Sequence, residues 1–561
     1  MTIRRTTTAV ATGVIAGALL LSACGGGDDG SGGEGGGSGD GQPGGEVRPV
    51  TIHATSANQF ETQFNPLLAT YNQGTRGFIY EPLTVFTAMD PGNGKPWLAE
   101  SMEFNEDGTA VTFSLRPDVT WSDGEAFTAD DVVFTFETMR DEPATNAGAL
   151  PIASASAVDD LTAEVTFDSP VFALEPSIGN ITPVPEHIFA DETVAEFTNP
   201  EPVGTGPFVL SDFTQQLYTL EANPSYWNAD EVDVQEVRYP ASTTQTFNTS
   251  LQAGEFDWSG GFVANIDQIF VGQDPEHNHY WYPGDGLVNL LVNLQKEPFS
   301  DVELRKAISL AIDREALSTT AMQGYNPPAH PTGLPLPAFE SFLEPDRAGD
   351  TFTRDVEQAN SILDAAGYEE GDDGVRVAPD GERMSYDLHI PSDWVDWVSI
   401  ATLLQEQLAD IGIEAAPQGV SFEAWLQGRN SGTYSMTIAS AVGGASPYFL
   451  YRAFMSSEYQ VEPGEDAAQN FNRWYDDTTD DYFDAYEASD DEAERLEAIH
   501  GLQGIVAEQL PLIPLLQSPN WFQYRTEFWE GWPSEDNPYA LPAPYQYPDN
   551  LLVITNLTPA G

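Results

Sequence analysis

Trp97-Leu98-Ala99-Glu100-Ser101, Asp107-Gly108-Thr109, Phe113-Ser114-Leu115-Arg116-Pro117, Trp121-Ser122-Asp123-Gly124 and Phe127-Thr128-Ala129-Asp130-Asp131-Val132 follow one another in close succession. Met102-Glu103-Phe104 and Val111 to Leu115 alternate apolar and polar residues, the period of a half-buried strand. Asn105-Glu106-Asp107-Gly108 between them carries the Asp-Gly signal of a tight turn, so the pair reads as a hairpin. Thr128 then stands where a helix N-cap belongs, with Asp131 three residues on to close a capping box. Val132, Val133, Phe136 and Met139 fall on one face of that helix. Strand, turn, strand and capped helix in sequence predict a mixed α/β fold.

The pattern continues on both sides. Val50-Thr51-Ile52-His53-Ala54 reads as a strand. A second helix is expected from Leu304 to Leu317, with Leu304, Ala307, Ile308, Ala311 and Ile312 inward. A third is expected from about Val395 to Ile411, stopped by Gly412. Asp372-Asp373-Gly374 and Pro379-Asp380-Gly381 read as hairpin turns and lack the twelve-residue calcium-loop pattern. No repeat of solenoid period is present.

Further blocks join the first set: Val203-Gly204-Thr205-Gly206-Pro207-Phe208, Asn223-Pro224-Ser225-Tyr226-Trp227, Pro298-Phe299-Ser300-Asp301-Val302, Arg305-Lys306-Ala307-Ile308, Ala311-Ile312-Asp313-Arg314 and Leu363-Asp364-Ala365-Ala366-Gly367-Tyr368. In this order the chain resembles the extracytoplasmic solute-binding proteins of ABC importers. The branch is that of the dipeptide, oligopeptide and nickel receptors, which includes cellobiose-type oligosaccharide receptors. The resemblance implies a two-lobed, periplasmic-binding-protein-like α/β fold that closes on ligand between its lobes. It implies a discontinuous lobe I (47–82, 196–288 and 520–561), an inserted subdomain (83–195) and lobe II (289–519). It also implies a monomer that binds without turnover, uses no cofactor and hands its cargo to an ABC permease and its ATPases. Singly, the blocks have plain roles: Gly-Thr-Gly-Pro is turn chemistry, Trp227 packs against a strand, and Arg116 and Asp123 hold a loop.

Peptide-binding members carry Trp-x-Ala-Asp-Tyr-x-Asp-Pro, whose first aspartate pairs with the peptide amine. Here the matching stretch is Ser440-Ala441-Val442-Gly443-Gly444-Ala445-Ser446-Pro447-Tyr448, and Gly443 takes that aspartate's place. A buried ammonium without a carboxylate is costly, so an ordinary free-amine peptide fits poorly unless another acid substitutes. Gly443 and Gly444 leave room, and Tyr448 offers a ring. Trp394 and Trp397 bracket Asp396, and Trp258, Trp281 and Tyr282 add aromatics near the expected lobe junction. Flat rings suit the C–H faces of pyranoses, and neighbouring carboxylates and amides suit hydroxyls. An oligosaccharide therefore ranks above a short oligopeptide, with a metal chelate third. Asn65, Asn58 and Asp393 are weaker contact candidates.

Other chemistries have little support. His277 and His279 sit close, as His-x-His, in a polar, proline-containing stretch that reads as a surface loop, and no metal site is expected. A secreted glycoside hydrolase is the alternative from another class, since two carboxylates flanking a sugar make such a site. With 88 acidic residues some pair is always available, so the pattern has no weight, and no Gly-x-Ser-x-Gly elbow is present.

The chain starts with Arg4-Arg5, an apolar run and Leu21-Ser22-Ala23-Cys24. This reads as a signal peptide over 1–23 whose cut site resembles a lipobox, with Cys24 taking a diacylglycerol. Residues 24–46 are then a lipidated cysteine and a Gly-rich flexible linker. The protein is expected on the outer face of the cell membrane. Cys24 is the only cysteine, so no disulfide can form within the chain, and burial must stabilise it.

Acidic residues outnumber basic ones 88 to 21, for a formal charge of −67. Such a field repels nucleic acid and anionic lipid, and it suits high salt or simply reflects composition. Hydrophobic residues at 41 % indicate a globular chain. About 515 residues after the linker are too many for one core and imply two large lobes.

Overall fold

The computed structural model describes residues 48–561 apart from 56, 88, 443, 445, 463 and 490. The expected signal peptide, Cys24 and the linker lie outside the described residues, as does Gly443. Among the described residues, no helix is long and apolar enough to cross a membrane.

The opening blocks fold as their local chemistry dictates. Ala99–Phe104 and Ala110–Leu115 pair antiparallel, with the Asn105 carboxamide oxygen accepting from the backbone N–H of Thr109 at 2.8 Å. The helix Ala129–Asp141 follows, and the Asp131 carboxylate accepts from the Thr128 N–H at 2.9 Å. Val132, Phe136 and Met139 are buried on its inner face. With Thr162–Phe167 and Ile152–Asp159 the hairpin completes a four-stranded antiparallel sheet.

Two larger sheets carry the molecule. The first has seven strands in the order Asn278–Tyr280, Gln523–Arg525, Trp258–Ser259, Val50–His53, Glu236–Pro240, Leu217–Ala222, Phe208–Phe213. The second has five, in the order Glu414–Val420, Ser385–Pro391, Met436–Val442, Gly284–Val292, Ile513–Pro519. The chain crosses between them at 281–283 and again at 520–522. The first crossing precedes the 288/289 boundary read from the sequence. Gly284-Asp285-Gly286 looks like a turn, yet it enters the sheet, with Gly286 opposite Val442.

Two local expectations need correction. The helix expected over 304–317 runs only over Val302–Ala311. Ile312 and Asp313 turn extended, and the Asp313 carboxylate caps a new turn by accepting from the Ala316 N–H at 2.9 Å. His277 to His279 is only partly loop. Asn278–Tyr280 is an edge strand, and His277 pairs with Asp274 at 3.0 Å.

Glu81 ties three parts of the chain together. Its buried carboxylate accepts from Trp97 Nε1 at 2.6 Å, Tyr226 Oη at 3.0 Å and Trp227 Nε1 at 3.3 Å. Trp227 also stands edge-on to Trp97, and the Arg116 guanidinium lies 4.1 Å from the centre of its ring. Thus Trp227 and Arg116 serve the scaffold. Glu81→Leu leaves those donors buried without an acceptor, so we expect a loss of about 3–5 kcal/mol in urea unfolding. An unchanged midpoint and slope would contradict this assignment.

Candidate functional site

Strand direction locates the site before any side chain does. In the seven-stranded sheet, Val50–His53 runs parallel to Glu236–Pro240 and Trp258–Ser259. Their C-terminal ends lie at one edge, together with the end of Asn278–Tyr280 and the start of Gln523–Arg525. In the five-stranded sheet, Ser385–Pro391 is parallel to Glu414–Val420 and Met436–Val442. Their C-terminal ends share an edge with the start of Gly284–Val292 and the end of Ile513–Pro519. The two crossings join these two edges, so the strand ends of both sheets converge on one region. Open α/β sheets bind ligands beyond the carboxyl ends of their strands.

The five-stranded edge presents an aromatic shelf. Trp394 follows the end of Ser385–Pro391, and Phe422 follows the end of Glu414–Val420. The Ser421 hydroxyl caps the helix Phe422–Asn430 by accepting from the Ala424 N–H at 3.2 Å, which places Phe422 in its first turn. The Trp394 and Phe422 rings stack at 5.6 Å and 28°. Phe422 is 44 % exposed and Val395 beside the shelf 57 %, so two of the exposed large apolar side chains among the described residues lie together here. Trp397 and Trp425, both buried, pack behind them.

The seven-stranded edge and the crossings hold a second aromatic group. Trp521 meets Phe262 at 5.4 Å and Tyr282 at 4.7 Å, both edge-on, and all three are half-buried. Gln523 Nε2 donates to Tyr282 Oη and to the Gly261 carbonyl, each at 2.8 Å, while Ser259 Oγ donates to Gln523 Oε1 at 3.0 Å. Asn520 is fully buried and locks the crossings together. Its Nδ2 donates to Asp285 Oδ2 at 2.7 Å, and its Oδ1 accepts from the Ala543 N–H at 2.7 Å.

Two carboxyls lie deep in this region yet keep solvent access. Burial pushes Asp285 up to about 6, opposed by the Asn520 hydrogen bond. Burial likewise raises Asp396, in the first turn of the helix Val395–Ala409, to about 6. Near neutral pH both are poised to accept from hydroxyl or ammonium donors.

The structure divides the residues expected to bind ligand. Trp394 lies on the shelf, and Trp397 is its buried support. Gly444 occupies the turn after Met436–Val442 at φ +59°, where a side chain is strained. Trp281 is half-buried in the first crossing. Three expectations fail because the side chains are fully buried in the protein itself. Trp258 sits within a strand, and its Nε1 donates to the Pro542 carbonyl at 2.8 Å. Tyr448 donates to Glu487 and stacks on Tyr486 at 4.6 Å. Asn65 Nδ2 donates to the Val194 and Phe197 carbonyls at 2.9 and 2.8 Å. Phe422, Trp521, Phe262, Asp285 and Asn520 are absent from the sequence-based set. The available signal was position, because each lies at a strand end or beside a crossing.

Residues 93–460 match the family model described as "Bacterial extracellular solute-binding proteins, family 5 Middle". The chain belongs to this family. Among curated relatives, Protein XP55 of Streptomyces lividans is 30 % identical over 59 % of this chain and 60 % of its own length. The di/tripeptide-binding protein 1 of Pseudomonas aeruginosa is 27 % identical over 81 % of this chain and 87 % of its own. Among solved structures, a periplasmic oligopeptide-binding protein of an ABC transporter from Thermotoga maritima superposes with TM-score 0.83 at 24 % identity. That superposition covers 91 % of this chain and 99 % of the other. A second crystal structure of that protein, bound to mannohexaose, gives TM-score 0.80 at 24 % identity, covering 91 % and 98 %. The two-lobed α/β fold expected from sequence is thus the fold of this chain.

Proposed function

We propose that this family 5 protein is the lipid-anchored receptor of an ABC-type importer. It captures an oligosaccharide between its two sheet edges and delivers it to the permease without cleaving it. The Trp394–Phe422 shelf carries this reading. It is an exposed, flat aromatic surface set beside the Asp396 carboxyl at the strand ends, a combination suited to a pyranose face and its hydroxyls. Gly443, in place of an amine-pairing aspartate, supports it, as does the mannohexaose held by a protein of the same fold. In this reading 47–82, 196 to the first crossing at 281–283, and 520–561 form lobe I, 83–195 its inserted subdomain, and lobe II runs from Gly284 to 519. The lobes close by hinge motion about the crossings. Cys24 carries the lipid that keeps the receptor at the membrane.

A peptide is the second reading, because Asp285 and Asp396 could each meet an ammonium. A thermal-shift screen of the purified protein separates the two, using gluco-, xylo- and manno-oligosaccharides and di- to pentapeptides. Ligand at about 100 times its dissociation constant adds about 2.7 kcal/mol. We expect sugars to raise the unfolding temperature and to be recovered uncleaved. A shift with peptides alone would overturn the sugar reading, and protein-dependent cleavage would overturn the receptor-only reading.

A further inference from the structure

A cavity of about 450 Å³ lies beside the outer strand of the five-stranded sheet, among residues the ligand shelf does not use. Residues 327–329 run along that strand, with the Ala329 N–H donating to the Leu515 carbonyl and Pro327 accepting from the Gln517 N–H. The turn at 312–315 and the segment 350–354 supply the other walls. Its size falls in the range of small-molecule sites.

The wall contains Arg314, buried at 4 % exposure. Its Nε donates to the Pro514 carbonyl at 2.7 Å, Nη1 to the Ser309 carbonyl at 3.1 Å and Nη2 to Ser309 Oγ at 3.0 Å. Its carbon Cζ stands 3.4 Å from the centre of the Phe352 ring. These contacts orient the guanidinium and leave further N–H donors unused. No ion pair forms to it among the described residues, although the chain has 88 acidic side chains. Buried charges are ordinarily paired, and burial alone lowers this group to about 9.

Asp313, Glu315 and Asp350 also line the cavity, but none of them pairs with Arg314. Asp313 is turned to its capping bond with the Ala316 N–H, Glu315 is exposed, and Asp350 stands 3.8 Å from Arg347. Arg354 brings a second guanidinium, held by the Ala311 carbonyl at 2.9 Å and Asp410 at 2.6 Å. His330 Nδ1 meets Thr332 Oγ1 at 2.8 Å, and its buried Nε2 lacks a hydrogen-bond partner. Pro328, Leu336 and Phe352 supply apolar surface beside these donors.

We propose that this cavity binds a small organic carboxylate, its anionic end at Arg314 and Arg354 and its apolar body against Phe352, Pro328 and Leu336. The site does not depend on which cargo the shelf binds. The test is saturation-transfer NMR and calorimetry on the full chain with benzoate, phenylacetate and hexanoate, at ionic strength matched with NaCl. At least one acid should bind saturably, and its methyl ester should not. Arg354→Gln should weaken binding at least about tenfold, the equivalent of removing one charge-assisted contact. Thr353→Trp, at an exposed position on the rim, should block it while leaving the unfolding midpoint unchanged. Failure of all three acids to bind, equal binding of acid and ester, or wild-type binding by both variants would overturn the proposal.

Discussion

Lowering the pH from 8 to 5 is expected to raise the unfolding temperature of this protein. Of the carboxyls that burial holds above their ordinary values, four are shifted most: Glu81 and Asp549 to about 7, Asp285 and Asp396 to about 6. Each binds a proton more tightly folded than unfolded. The stability they contribute is complete below their unfolded values near 4 and is lost as pH rises through 6 to 7. For Glu81 and Asp549, both buried to 1 % exposure, the linkage is worth about 3–4 kcal/mol each. Buried His53, lowered to about 4, opposes this trend by about 2 kcal/mol at pH 5, less than the deep carboxyls together supply, while carboxylates held low, such as Asp123 beside His187, lose their contribution only below about 4. Surface repulsion acts in the same direction, because the −67 charge falls as acids protonate. Added salt mimics that part, since screening shortens from about 8 Å at 0.15 M to about 3 Å at 1 M. Scanning calorimetry at pH 8, 6.5 and 5, with and without 1 M NaCl, checks both. A midpoint that is flat or falls toward pH 5 would show that the deep carboxyls are not desolvated as described.

The second large effect concerns the shelf. Trp394→Ala with Phe422→Ala should reduce affinity for the cargo about 100-fold or more. Each ring stacked on a ligand contributes on the order of 1–2 kcal/mol beyond the area it covers, and the pair acts on one face. Phe422 is exposed and Trp394 half-buried, so the cost to folding should be small. Trp258→Ala should do the opposite. That ring fills the seven-stranded sheet's core, and its loss should cost about 3–5 kcal/mol of stability. Measuring affinity and urea midpoint for both variants separates the two kinds of tryptophan. Loss of stability with unchanged affinity in the shelf variant would remove the shelf from the site.

That contrast also marks what the sequence makes legible. The hairpin at 99–115 and the capped helix at 129–141 follow from turn and cap residues a few positions apart. Local chemistry of this kind is visible in one dimension. Trp258 and Trp394 look alike in the sequence, and only the sheet distinguishes them. One lies within a strand and packs inward; the other follows a strand's end, where the backbone leaves the core. Asp285 was obscured for a related reason, because two glycines flanking an aspartate look like a turn. Here Gly286 pairs with Val442 and carries Asp285 into the crossing beside Asn520. The break at Ile312–Asp313 did carry a signal, since Asp313 precedes Arg314-Glu315-Ala316 as a cap should. The apolar spacing running through it concealed that boundary.

The most direct test is a crystal structure of the protein grown with the strongest hit from the ligand screen. The account predicts a saccharide between the two sheet edges, with a pyranose face on Trp394 and Phe422 and hydroxyls on Asp396. A ligand bound elsewhere, or a peptide whose amine pairs with Asp285 or Asp396, would contradict it.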